Sequence, residues 1–119
     1  MTDIKPSFDF TAFKSAVEQQ NVPAWIEFFT DDAEWIEYRY DAPPRSPHRM
    51  IGKQAIKNFL DEVVAEHLQL NITHEVIDTT RIAFCLTCTL DDGRQIIENT
   101  IADLKDGEIT RYIEVEASD

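Results

Sequence analysis

From residue 70 onward the chain shows no helical periodicity, and this constrains its fold more than any other feature. Four alternating segments, roughly 70–78, 81–90, 94–104 and 108–116, follow one another, with Asp92-Gly93 and Asp106-Gly107 as tight-turn signals between successive strands. Strands joined this closely form an antiparallel meander, whose apolar face has to be covered by something else in the chain. The first half supplies the cover. Residues 7–20 place Phe10, Phe13, Ala16 and Val17 at helical spacing, with Ser7 as N-cap and Asn21 as the end. Pro23 suits the first turn of a second helix, PAWIEFF, which is strongly apolar through Trp25, Ile26, Phe28 and Phe29. The segment GKQAIKNFLDEVVAEH, beginning at Gly52, is the clearest helix, with one apolar stripe of Ala55, Ile56, Phe59, Leu60, Val63 and Val64. Helices first and a meander last is an α+β pattern, with the helices packed on one face of a curved sheet.

Between the second and third helices lies AEWIEYRY, residues 33–40, read as a strand after the helix-breaking TDD. Alternate residues of a strand face opposite ways, so Trp35, Glu37 and Arg39 share one face and Ile36, Tyr38 and Tyr40 the other. Both faces carry bulk that favours burial, so Glu37 is either a solvated surface acid or a carboxylate held in a pocket. On the strand containing IIENTIADL, Glu98, Thr100, Ala102 and Leu104 share one face, and Ile97, Asn99, Ile101 and Asp103 the other. The pocket group there is Glu98 with Thr100, or Asn99. Residues 41–50 hold three of the five prolines and are expected to be a loop or an irregular edge.

The remaining features exclude more than they assign. At 119 residues the chain is read as one domain, long enough to bury a real core. The net charge of −12 argues against nucleic acid and against anionic membrane surfaces, both of which need clustered Lys and Arg. No apolar run approaches the roughly 18 residues of a membrane span, and MTDIKPSFDF lacks the layout of a signal peptide. A cytoplasmic location is the default expectation. Cys85 and Cys88 have C-x-x-C spacing, but RIAFCLTCTL alternates like a strand and places them on opposite faces. Thiols so placed neither chelate one metal nor close a disulfide, and Cys88 falls in the apolar row of Ile82, Phe84, Leu86 and Leu90. His48, His67 and His74 are too scattered to propose a metal site. An inward His74, in line with Ile72, would shuttle protons in a pocket.

The order of elements, with WIEFFTDDAEWIEY, GKQAIKNFL and DLKDGEITR, resembles the nuclear transport factor 2-like superfamily, and within it the SnoaL-like and ketosteroid isomerase-like proteins. The resemblance covers nearly the whole chain. It implies a cystatin-like α+β cone, a curved antiparallel sheet wrapped around three N-terminal helices, with a pocket at the open end and homodimerisation through the sheet. In ketosteroid isomerase-like members the general base lies on the first strand a few residues after the DDA-type turn, and counting from Asp31-Asp32-Ala33 brings that position to Glu37. Two family features are absent. Phe13, without a hydroxyl, stands in the region of the isomerase's first-helix tyrosine, and its late-strand acid falls near Asn99 or Thr100, with Glu98 close by. The final strand offers Glu114 and Glu116 where SnoaL-like cyclases often carry an Asp. Steroid isomerisation is therefore not expected.

The resulting expectation is a pocket for a small hydrophobic ligand. Glu37 acts as general base with His74 or a tyrosine polarising the substrate, in a cofactor-independent and metal-free isomerase, cyclase or dehydratase. Trp35, Tyr38, Arg39, Phe13, Trp25, Phe59, Glu98, Asn99 and Thr100 are the candidate ligand-binding residues. The alternative is a non-catalytic ligand-binding or association domain of the same fold, with Glu37 structural.

Overall fold

The apolar periodicity of the first half forms the helices it predicts. Phe10, Phe13, Ala16 and Val17 are all buried on α1 (Phe10–Glu18). Its N-cap is Asp9 rather than Ser7: the Asp9 carboxylate accepts the Ala12 N–H at 3.0 Å, which satisfies one of the helix's orphan donors. That helix ends at Glu18 with Gln19 as its C-cap, before Asn21; Asn21 instead caps α2 (Val22–Ile26), accepting from the Ala24 N–H, with Pro23 in the first turn. The third helix, α3 (Lys53–Ala65), starts after Gly52, whose φ of +94° suits a residue without a Cβ. The computed structural model describes residues 7–119; residues 1–6, which carry much of the segment read for a leader, lie outside them. Among the described residues no helix is long and apolar enough to cross a membrane.

The strands are β1 (Phe29–Tyr38), β2 (His48–Ile51), β3 (Gln69–Ile77), β4 (Arg81–Thr89), β5 (Gln95–Lys105) and β6 (Glu108–Ser118). They form one sheet in the order β2-β1-β6-β5-β4-β3. The curved, unclosed sheet with helices on its inner side is the α+β cone expected. Strands β3 to β6 make the predicted antiparallel meander. At the β5–β6 turn Asp106 and Gly107 both take positive φ, as a two-residue hairpin loop of the primed type requires. Three details differ from the sequence reading. The opening strand begins at Phe29 rather than after TDD, and its register shifts between Phe29 and Glu34. The last strand returns beside it, so the β1–β6 pair is parallel. The proline-rich stretch, expected to be a loop or irregular edge, resolves into turns followed by β2, a short edge strand pairing antiparallel with β1. Its prolines precede the strand, where no ladder N–H is lost.

The core lies between helices and sheet. Phe13, Trp25, Phe29, Ile56 and Leu60 meet the inward row of β4, which is Ile82, Phe84, Leu86 and Cys88 as the alternation predicts. Trp35 stacks on Tyr112 with ring centroids 3.8 Å apart, and this contact joins the first strand to the last. Leu60 is fully buried, so Leu60→Ala should cost about 2–5 kcal/mol through lost burial and a residual cavity. The exposed control Glu62→Ala should stay within about 0.5 kcal/mol. Urea denaturation checks both.

Candidate functional site

The open end of the cone holds a cavity of about 340 Å³. Phe59, Leu60 and Val63 of α3 give it an apolar wall, and Leu68, Leu70, Leu86, Ile96 and Trp35 add further apolar surface. Acids stand among these on the sheet: Glu37 from β1, Glu98 from β5 beside Leu86, and Glu114 and Glu116 from β6 all line the cavity, with Arg39 beside Glu37. The strands bring these groups together through register. Glu37 is the cross-strand partner of Glu114, and Glu116 that of Glu98. The inward face of β1 is thus the one carrying Trp35, Glu37 and Arg39, and the inward face of β5 is the one carrying Glu98 and Thr100.

Glu37 is only 5% exposed, and donors from three residues converge on it. The Trp35 indole N–H donates to Oε1 at 3.2 Å. His48 Nδ1 lies 3.5 Å from Oε2, and the Arg39 guanidinium lies 3.6 Å from the same oxygen. His48 reaches this position because β2 sets it directly across from Glu37. Arg39 is shared with Asp41, at 2.9 Å.

The neighbours of Glu114 are chiefly other carboxyls, Glu98 and Glu37. Glu114 is 1% exposed, and its Oε1 is buried without a hydrogen-bond partner among the described residues. Burial, then the charge and contact of Glu98 and Glu37, pushes its carboxyl well above the usual 4.5. Burial first, opposed by a hydrogen bond with Glu114 and reinforced by the charge of Glu37, pushes Glu98 up to about 7. Burial raises Glu116 as well, with Glu37 adding to it. Glu114 thus holds its proton above the usual carboxylate range, as an acid able to donate a hydrogen bond, beside Glu98, which titrates near 7. Glu37 stands next to both with its own set of donors. Carboxyl groups whose surroundings hold them in different protonation states are the arrangement that acid–base chemistry needs.

Of the residues singled out from sequence, Glu37, Trp35, Arg39, Phe59 and Glu98 line the cavity. Thr100 is buried on the same inward face, deeper than Glu98, with its hydroxyl against the Tyr112 phenol. Phe13 and Trp25 are core residues and do not reach the cavity, because their helices pack them against Phe84 and the sheet interior. Tyr38 and Asn99 fall on the outer parity of β1 and β5. His74 is a correction. The β3–β4 register shifts between Thr73 and Val76, and His74 adopts φ of +59° at that irregularity. A bulge breaks the alternation on which an inward His74 depended. The imidazole is exposed, contacts Thr73 Oγ1 at 2.9 Å, and borders the outer face with Asn99, Ile101 and Val115.

His48, Glu114 and Glu116 were not assigned roles from sequence. The alternation of Tyr112, Glu114 and Glu116 was a usable signal for the last two, since a buried tyrosine takes its row inward. No local signal marks His48, because the pairing of β2 follows a run of prolines. Among the described residues no three His, Cys, Asp or Glu side chains are grouped to hold a metal ion.

A family model described as a SnoaL-like domain matches residues 10–112. No curated protein matches the chain. Among solved structures, a candidate ketosteroid isomerase from Kribbella flavida is similar at a TM-score of 0.76 and 16% identity, over 91% of this chain and 74% of that one. A nuclear transport factor 2-like protein of unknown function from Mesorhizobium loti gives 0.78 and 13%, over 91% and 87%. A candidate polyketide cyclase from Sinorhizobium meliloti gives 0.70 and 18%, over 88% and 91%. At such identities the likeness establishes the fold.

The raised carboxyls have a signed consequence for stability. In the unfolded chain Glu98 and Glu114 ionise near 4.5, while the folded protein still binds their protons. Unfolding therefore releases protons, and stability falls as pH rises. For Glu98 this loss runs from about 4.5 to about 7, and for Glu114 it continues upward. The melting temperature should be higher near pH 5 than near pH 7.5, and Glu98→Gln and Glu114→Gln should each flatten the slope between those limits. A thermal-melt series across that range, with equal slopes in all three proteins, would refute the assignment.

Proposed function

The chain belongs to the SnoaL-like domain family, and from that premise we propose that its cavity binds a small, largely apolar molecule and moves a proton on it, with Glu37 as general base. One observation carries this reading: four carboxyls, Glu37, Glu98, Glu114 and Glu116, line a cavity whose α3 wall is apolar. Glu37 takes a proton from a carbon next to a carbonyl. The neutral Glu114 carboxyl donates a hydrogen bond to the oxygen on which negative charge develops, and Glu98 returns or relays the proton. Donors aimed at developing charge in a site shielded from water supply much of the stabilisation in such reactions. Isomerisation, ring closure and dehydration all begin with this step. The neighbours named as a ketosteroid isomerase and a polyketide cyclase make it a reasonable class for this fold, and the cavity's own chemistry gives the reason to apply it here.

Hydrogen–deuterium exchange tests the reading without knowledge of the substrate. A panel of cyclic ketones and enones is incubated in D₂O and followed by NMR for label at the carbon next to the carbonyl. The wild-type protein should accelerate exchange for those members that bind. Glu37→Gln should lower the rate about 10²–10⁴-fold while leaving the fold intact. Binding with no exchange above buffer would instead favour the non-catalytic ligand-binding domain.

We also infer that two copies pair through the outer face of the sheet. Ile97, Ile101 and Val115 are 42–55% exposed there. Ala83, Cys85, Asn99 and Ile113 around them are uncharged, and the charged Arg81, Asp103 and Arg111 stand together at one end of the same face. Two chains each bearing −12 can approach closely only on an uncharged surface, which makes a second copy the fitting occupant. The double variant Ile101→Glu with Val115→Glu should shift the protein from dimer to monomer in sedimentation velocity, and a monomeric wild type would end this reading.

A further inference from the structure

The acid-to-base balance of the cavity is lopsided, and the imbalance bears on what enters it. Glu37, Glu98, Glu114 and Glu116 line the space against one guanidinium, that of Arg39. Arg39 is already committed, 3.6 Å from Glu37 and 2.9 Å from Asp41. The Glu114 oxygen Oε1 faces no donor although it is buried, on a side chain that lines the cavity. A buried acceptor left without a donor costs stability, which a bound donor would recover. The α3 wall, with Phe59, Leu60 and Val63, accepts an apolar body. We propose that the cavity is selective for a small apolar molecule carrying a protonated amine, with the ammonium seated between Glu98 and Glu114. This rests on the cavity's being the ligand site, as proposed above, and does not require Glu37 to act as a base.

The electrostatics around the ammonium position are one-sided. Glu98 is faced by Glu114 and Glu116 from β6, by Glu37 from β1 and by Arg39 just past its end. From β4, Leu86 and Cys88 complete the surroundings, and burial holds the Cys88 thiol in its neutral form. Glu66, just past α3, adds a further negative group at the rim. A cation entering this field lowers the cost of ionising Glu98 and Glu114. Those carboxyls then give up a proton to solvent as the amine binds. By linkage, amine affinity rises as pH rises through about 7, where Glu98 loses its proton, while an alkyl ammonium stays charged throughout. A carboxylate ligand meets the same field with the opposite sign and is excluded. An uncharged ligand gains the apolar contacts alone.

Three probes with one apolar body separate these cases: cyclohexylmethylamine, cyclohexylmethanol and cyclohexanecarboxylate. Titrations followed by amide chemical shifts, with calorimetry in two buffers of different ionisation enthalpy, give affinity and protons released. The amine should bind roughly tenfold or more tightly than the alcohol, release protons, and gain affinity between about pH 6 and pH 8. Glu98→Gln should reduce the preference, and so should Glu116→Gln, a half-exposed site where folding is at little risk. Affinity for the alcohol equal to or above that for the amine overturns the proposal, as does preferential binding of the carboxylate or no shift at cavity residues with any probe. Ketone exchange without an amine preference overturns this inference alone. An amine preference without exchange leaves it standing and removes the general-base reading.

Discussion

Everything at the open end of this protein depends on the parallel pairing of β1 with β6. The first strand and the last belong to opposite ends of the chain, and nothing local brings them together. Once paired, they set Trp35 on Tyr112 and Glu37 beside Glu114 in adjacent rows of the same inward face. The stack covers the apolar side of the joint and excludes water from the layer below the carboxyls. A slip of one residue would turn Glu37 outward and bring Ile36 to the cavity. Ile36, buried on the opposite face between Arg49 and Ile113, holds the register from behind.

The carboxyl row is costly, and its protonation is how the fold tolerates it. Several buried anions in contact would be ruinous in a poorly solvated cavity. Glu114 meets the difficulty by holding its proton well above the usual carboxylate range, and Glu98 by titrating near pH 7. Glu37 meets it by gathering the indole N–H, the imidazole of His48 and the guanidinium of Arg39. These are different solutions to one electrostatic problem, and they leave neighbouring groups in different states. Stability given up to keep polar groups in a cavity is the usual mark of a site rather than of a core. The apolar layer beneath, from Phe29 and Trp35 to Phe84 and Leu86, is large enough to carry that cost.

Much of this was legible in the chain, and the failures have physical causes. Helical periodicity found α1 and α3, and period-two alternation found the meander and the inward row of β4, because each is a local consequence of side-chain direction. Asp106-Gly107 marked its turn because positive φ is cheap there. The same logic failed for His74, where one bulge residue reverses the parity, and bulges have no reliable local signature. It failed for Phe13 and Trp25 in another way. An apolar helical residue is equally suited to a packed core or a cavity wall, and only the distance between layers decides which it becomes. His48 was unreadable as a partner of Glu37, since the prolines before β2 hide a strand pairing from the sequence pattern.

By itself the sequence determined the α+β order, the helix faces, the strand parity and the position of Glu37 on the first strand. These follow from steric and hydrophobic preferences that act within a few residues. Tertiary structure alone decided which face of β1 and β5 lines the cavity, that Glu114 is the most deeply buried of the carboxyls, and that His48 rather than His74 attends Glu37. Each of these depends on contacts between segments far apart in the chain. Their energies arise from burial, charge and register, which exist only once the sheet has curved around its helices.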